Sequence, residues 1–516
     1  MTAIRFKIIA NLYKDSVALM QLGAALRERE GIEQASCLMA TPANLAQLLD
    51  ADLSIDTPTL PSDLLIVVRG EPAACDDAIV AAEAMLRAAG SRGGGDSATF
   101  KLPLTSLALG LEGAPGADLA LISVPGDYAA AEARKALALG LHVMLFSDNV
   151  SVAEELEIKV YARDRGLLVM GPDCGTTIIN GIPLGFANVV RLGDIGLVAA
   201  SGTGLQEVTC RIHNLGGGVS QAIGTGGRDL TEPIGGITML QGLAALASDP
   251  HTRVIVLVSK PPSPAIVRQI QGAAGSVGKP VVVHFLGAAS QVLPAGLIAA
   301  TSLRHAADLA VAIARGDALP GPVMTPMVHD IAKVDRCRAA MAPQQTAVCA
   351  LFTGGTFCYE AQLAFLAQGL PCRSNAPADG ALPFGGVFDG HVFLDLGADD
   401  YTRGRPHPMI DPSLRDATVR ARGADPHTAA ILFDVVLGFG SHANPAAGLA
   451  QVLADSQREA QADGRSLAFI GHVCGTDGDP QDRADQVRQL ESTGAVIVGS
   501  NIEAALLAAH LVAGRA

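Results

Sequence analysis

Two glycine–threonine turns, Ser201-Gly202-Thr203-Gly204 and Thr353-Gly354-Gly355-Thr356, each follow an apolar run and precede a stretch of helical character. A helix start leaves backbone N–H groups unpaired and carries the positive end of the helix dipole, which suits a phosphate. One such turn is equally well explained by tight packing where a strand enters a helix. Two of them, in separate parts of the chain, point to a phosphoryl group held between facing helix ends.

Cations and a histidine occupy comparable places. Arg228 and Asp229 follow the loop Gly224-Thr225-Gly226-Gly227, and Lys260 follows the apolar run Val254–Val258 just before two prolines. At the carboxyl ends of strands, such cations can hold a phosphate or carboxylate; a local salt bridge is the competing role for Asp229. In Gly404-Arg405-Pro406-His407-Pro408, two prolines stiffen a loop around an arginine and a histidine. Arg405 suits a carboxylate, and His407 is the general acid–base candidate because an unperturbed imidazole titrates near neutrality. Asp173, Cys174, Gly175 and Thr176, with Asn188, Gly227 and Asp229, complete the expected substrate contacts. Cys174 reads as a packing thiol rather than a nucleophile, since no base stands beside it in the chain.

The elements that must position these groups alternate regularly. Residues 1–90 read as strand, helix, strand, strand, helix, an α+β unit of ferredoxin-like type. The glycine-rich stretch Gly90–Ser97 reads as a linker. Residues 98–190, 191–318 and 345–516 each alternate short apolar strands with helices, which implies parallel, doubly wound sheets of Rossmann or flavodoxin type. In such sheets ligands sit beyond the carboxyl ends of the strands, where both glycine turns fall.

Composition excludes several classes. The chain has 516 residues, 49% hydrophobic and 17% charged, with 57 glycines and a net charge of −14, the profile of a compact α/β enzyme. That charge argues against non-specific nucleic-acid binding. Nine cysteines are scattered without a Cys-x-x-Cys pair, which reads as reduced thiols without a metal framework. No apolar run reaches membrane-helix length and the first residues lack a secretory pattern, so a cytoplasmic location is expected.

Met170-Gly171-Pro172-Asp173-Cys174, Ser201-Gly202-Thr203 and Gly224-Thr225-Gly226-Gly227-Arg228-Asp229 resemble motifs of the α subunit of ADP-forming succinyl-CoA synthetase. The last third resembles the carboxyl domain of its β subunit, whose glycine-turn helix corresponds to Thr353–Thr356. Further blocks, including Asp15–Met20, Thr41–Asn44, Phe146–Val150, Val258–Pro262 and Gly404–Pro412, identify the chain as a member of the FdrA family. This resemblance implies a subunit of oxamate carbamoyltransferase in allantoin breakdown, which converts oxalurate and phosphate into oxamate and carbamoyl phosphate. It implies two companion subunits, a homodimer within a larger assembly, and no cofactor beyond phosphate as co-substrate.

Departures from the synthetase pattern bear on the chemistry. The stretch corresponding to its phosphohistidine loop, Phe285–Pro294, contains no histidine. The glycine-rich CoA loop and a nucleotide-binding ATP-grasp module are not recognisable either. What remains matches carbamoyl transfer to phosphate, which needs orientation and oxyanion stabilisation. Two other readings stay open: an ADP-forming acyl-CoA synthetase, and a phosphate-binding scaffold whose catalysis lies on a partner.

Overall fold

A computed structural model describes residues 2–91, 106–287, 296–323, 325–402 and 405–515. The linker expected at Gly90–Ser97 lies outside them from residue 92, as do residues 288–294 of the Phe285–Pro294 stretch and Gly404 of the proline-stiffened loop.

The ferredoxin-like unit is built on strands Ala3–Ile9, Ile32–Met39 and Leu64–Gly70, the last lying antiparallel between the other two. This is a split βαβ arrangement: the helix Ser16–Arg27 crosses from the first strand to the second and leaves a gap that the third fills. Asp15 starts the crossing helix by accepting from the Ala18 amide at 2.9 Å. A helix not anticipated from the sequence, Pro42–Asp50, begins at the Thr41 cap.

Three parallel strands, Leu119–Ile122, His142–Leu145 and Val169–Met170, form the next sheet. The hairpin Thr176–Ile179/Ile182–Gly185 then pairs antiparallel with Val219–Gly224 and joins the following sheet. The chain therefore changes sheets before residue 190, where the sequence placed the boundary, because the hairpin finds its hydrogen-bond partners there. That sheet has seven strands, with Leu192–Ala200 between Val219–Gly224 and Val254–Ser259. The last sheet has seven parallel strands, with Ala347–Phe352 between His391–Asp395 and Thr428–Val436. In both, strand order reverses around the strand that feeds a glycine turn, so a crevice opens at its carboxyl end.

The helices Gly202–Asn214 and Gly355–Ala367 leave those strands and share one apolar core with Leu303–Arg315 and Asn501–Val512. Leu205, Val208, Phe357, Ala361, Phe365 and Leu507 are fully buried in it. Packing between the two large sheets thereby sets where the helix starts point. The N-terminal unit bridges the others through polar contacts: Tyr13 donates to the Ser123 carbonyl at 2.7 Å, Arg27 pairs with Asp411, and Glu28 meets His442 at 3.0 Å.

Candidate functional site

The two glycine turns abut. Ser201 Oγ and Thr356 Oγ1 lie 2.6 Å apart, and a Cβ built on Gly354 would meet Thr203 Cγ2 at 2.5 Å. A side chain at Gly354 would push the helix starts apart, which is the physical reason for glycine at that position. The tips face a cavity of about 660 Å³. Ser201, Gly202, Thr203, Thr353, Gly354, Gly355 and Thr356 all line it.

Which groups remain free to meet an anion follows from the hydrogen bonds. The Gly202, Thr203, Gly355 and Thr356 amides have no partner among the described residues, nor does the Thr203 hydroxyl. Gly204 does not line the cavity: its amide donates to Ser201 Oγ at 3.0 Å, and an added Cβ would lie 2.4 Å from that oxygen. It is a packing glycine under a capped turn, not part of the expected cradle. Thr353 is also withdrawn. Its amide and hydroxyl both donate to the buried Asp434 carboxylate, the hydroxyl at 2.8 Å, so neither is available to a ligand.

Lys260 extends from the end of Val254–Ser259, where Ser259 registers with Ala200. Its ammonium and the Asp395 carboxylate stand at the second tip, since a Cβ on Gly355 would lie 2.9 Å from Lys260 Nζ and 2.6 Å from Asp395 Oδ2. Lys260 and Arg405 line the cavity and make no side-chain ion pair among the described residues. Arg228 lines it too but is anchored, donating to the Val150 carbonyl at 2.7 Å and pairing with Glu155 at 2.9 Å.

The Asp173–Thr176 turn and Gly227 form another wall. Asp173 is solvent-exposed at the cavity wall, with the surrounding cleft crowding its carboxyl. Desolvation, reinforced by Asp148 and opposed by Lys260, pushes its carboxyl up to about 6. Burial likewise raises Asp395, and desolvation by the cleft raises Asp148 although that residue is solvent-exposed. Cys174 is buried among the Thr176 and Gly224 carbonyls and the Thr177 hydroxyl, and desolvation raises its thiol to about 11, which leaves it protonated. Thr176 spends its hydroxyl on the Phe186 carbonyl at 2.8 Å.

His407 lines the cavity, but its chemistry differs from that expected. Burial drives its pKa down to about 4, and Nδ1 accepts from the Met409 amide at 3.3 Å. The imidazole is therefore neutral at pH 7 and carries its proton on Nε2, which makes it a hydrogen-bond donor rather than a general base. Asp173, pushed up to about 6, is the cavity carboxyl raised closest to neutrality.

Two expected substrate contacts are structural instead. Asp229 is fully buried, pairs with Lys159 at 2.7 Å and accepts from the Thr238 and Met239 amides at the start of the helix Ile237–Ser248. Asn188, also fully buried, donates to the Leu437 carbonyl and Asp479 and accepts from Gln206. Both carry polar side chains on tertiary partners far along the chain, which no local pattern announces.

Sequence reasoning missed the opposite wall. Lys14, Ser16, Thr41, Asn44 and Gln47 of the ferredoxin-like unit line the cavity, as do Pro125, Gly126 and Ser147. The signal available was positional: Gly126 opens a helix after a strand, as the two glycine turns do.

Fold and site together define an α/β protein on a CoA-ligase-like scaffold. A family sequence model described as CoA-ligase matches residues 351–511, and one described as AllF, heavy metal-associated domain, matches residues 1–101. YahF, an uncharacterized protein of Escherichia coli K12, is 40% identical over 99% of both chains. The chain belongs to this family, the FdrA family. The α subunit of ADP-forming succinate–CoA ligase from Staphylococcus epidermidis is 27% identical over 35% of this chain, which spans 59% of that subunit's length. The malate–CoA ligase α subunit of Methylorubrum extorquens is 26% identical over 34% of this chain and 60% of its own. Among solved structures, the dinucleotide-forming acetyl-coenzyme A synthetase 1 of Ca. Korarchaeum cryptofilum covers 77% of this chain and 82% of its own at 17% identity, with a TM-score of 0.32, too loose an overlay to bear on function.

The heavy-metal description does not fit the N-terminal unit. Its cysteines, Cys37 and Cys75, are both buried, burial raises the Cys37 thiol to about 12, and among its described residues no three metal-ligating side chains meet. No helix among the described residues is long and apolar enough to cross a membrane.

Proposed function

We propose that this chain is a subunit of oxamate carbamoyltransferase, moving the carbamoyl group of oxalurate to phosphate. The observation that carries the reading is the meeting of two helix starts at one cavity, with amides and a Lys260 ammonium that have no partner among the described residues. Phosphate would rest on the Gly202, Thr203, Gly355 and Thr356 amides and on Lys260. The substrate carboxylate would pair with Arg405, with Arg228 beside it.

A phosphate oxygen then attacks the ureido carbonyl carbon, and the carbonyl electrons move to an oxyanion stabilised by the same donors. Collapse forms carbamoyl phosphate and breaks the bond to the oxamate nitrogen, which takes a proton from Asp173. The proton of the attacking hydrogen phosphate restores Asp173. A bound phosphate raises the Asp173 pKa further by like-charge repulsion, which holds the acid protonated until it is used. No covalent capture on histidine is required, in keeping with the histidine-free stretch Phe285–Pro294.

The companion subunits and the homodimer belong to this proposal. The CoA-ligase match favours a second reading, ADP-forming acyl-CoA synthesis. A third makes the chain a phosphate-binding scaffold for a catalytic partner. Phosphate-dependent oxamate release, measured with and without the companions, separates the readings from an assay with CoA, ATP and an acid. Turnover that requires CoA and nucleotide, with none on oxalurate and phosphate, would overturn the carbamoyl reading. Alanine at Lys260, Arg405 and Asp173 with unchanged rates would move catalysis to a partner.

A further inference from the structure

Outside the cavity, four ionisable side chains scattered in sequence converge in the dry interface between the two large sheets. Glu207 and Cys210 are three residues apart on Gly202–Asn214 and so share a helix face. His472 and Cys474 are two apart on Ala468–Cys474 and so share a strand face. The helix face meets the strand face. Glu207 Oε2 lies 2.6 Å from His472 Nε2, and the ligating atoms of Glu207, His472 and Cys474 lie within 4.8 Å of one another. The Cys210 thiol neighbours that of Cys474. Their exposures are 2%, 2%, 3% and 1% in chain order.

The orientation of the imidazole is informative. Its Nδ1 donates to the Val498 carbonyl at 3.2 Å, which fixes the ring and turns Nε2 toward the carboxylate and thiols. An outer hydrogen bond of this kind is how proteins orient a metal-binding histidine.

We propose that Glu207, His472 and Cys474, with Cys210 beside them, bind one zinc-type divalent ion that staples the Gly202–Asn214 helix to the last sheet. One nitrogen, one carboxylate oxygen and sulfur suit a borderline-soft tetrahedral ion and disfavour magnesium or calcium. The ion displaces the proton shared by His472 and Glu207 and the Cys474 thiol proton. The Glu207–His472 contact then opens to about 3.5 Å, the ligand separation of a tetrahedral site. With the cluster sealed from solvent, loading accompanies folding and exchange is slow.

The test needs no knowledge of the substrate. The full chain is purified after growth in zinc-supplemented medium, and its metal content is measured by mass spectrometry before and after chelator dialysis. Cobalt is then introduced during refolding. The expected result is close to one zinc per chain, retained on dialysis, and a sulfur-to-cobalt absorption band. The band and the metal are lost in C474S and H472Q and kept in C358S, a buried thiol elsewhere. If those two variants fail to fold, wild-type stoichiometry and the cobalt band decide alone. Wild-type chain with less than a tenth of an equivalent of metal and no cobalt band would show an ordinary buried ion pair and overturn the proposal.

Discussion

Replacing Gly355 with alanine puts a methyl group into the space shared by two charged side chains. The new carbon would lie 2.6 Å from Asp395 Oδ2 and 2.9 Å from Lys260 Nζ, closer than real contacts allow. Lys260 is long and swings aside, while the short, buried Asp395 carboxylate must shift against the Gly397 amide it accepts from. Gly355 is the first residue of its helix, where alanine is tolerated, so the thermal midpoint should shift by no more than about 2 °C. The function should suffer, because Lys260 is displaced from the tip proposed to hold phosphate. Losing one charge-assisted hydrogen bond costs about 2 kcal/mol, or about thirtyfold in the KM for phosphate. Oxamate release at varied phosphate, with the companion subunits present, reads this directly. K260M should have a similar effect, and the double variant should lose little more, since both changes remove one interaction. An unchanged KM for phosphate in a folded G355A protein, or full additivity in the double variant, would refute the reasoning.

The other predictions concern the side chains whose expected roles the structure revised. D173N should remove the inflection near pH 6 from the rate profile and lower kcat at least tenfold, as is usual for loss of a general acid, of the order of 10²–10⁴. Its stability should move the other way. A carboxyl whose folded pKa is raised loses stability as pH rises from its unfolded value through about 6, so D173N should melt higher than the parent at pH 8 and not at pH 4. H407Q should lower the rate without moving that inflection, because His407 is already neutral above about pH 5; a shifted profile would restore it as the acid–base group. T353V should destabilise the chain by about 1–3 kcal/mol in urea titration, by stripping Asp434 of a donor, while leaving the KM for phosphate unchanged at temperatures where the variant is folded.

Strand-to-helix turns are local events, encoded by an apolar run, a glycine and a capping hydroxyl within a few residues. Ser201, Gly202, Thr203, Gly354, Gly355 and Thr356 could therefore be picked out from the chain, and so could Lys260 at the end of its strand. The alternation of short apolar strands with helices made the ferredoxin-like unit and the parallel sheets legible for the same reason. Asn188, Asp229, Gly204 and Thr353 look identical in sequence to residues that meet a ligand. Their partners, Asp479, Lys159, Ser201 and Asp434, decide otherwise, and all but one lie far along the chain.

The sequence by itself determined which turns leave amides open to an anion, because backbone amides at a helix start are left unpaired wherever that helix goes. Tertiary structure alone decided that two such starts touch, that the ferredoxin-like unit walls the same cavity, and that packing shifts the Asp173 carboxyl up and the His407 imidazole down. The reason is that a pKa reports desolvation and neighbouring charge, and both are properties of packing between distant segments.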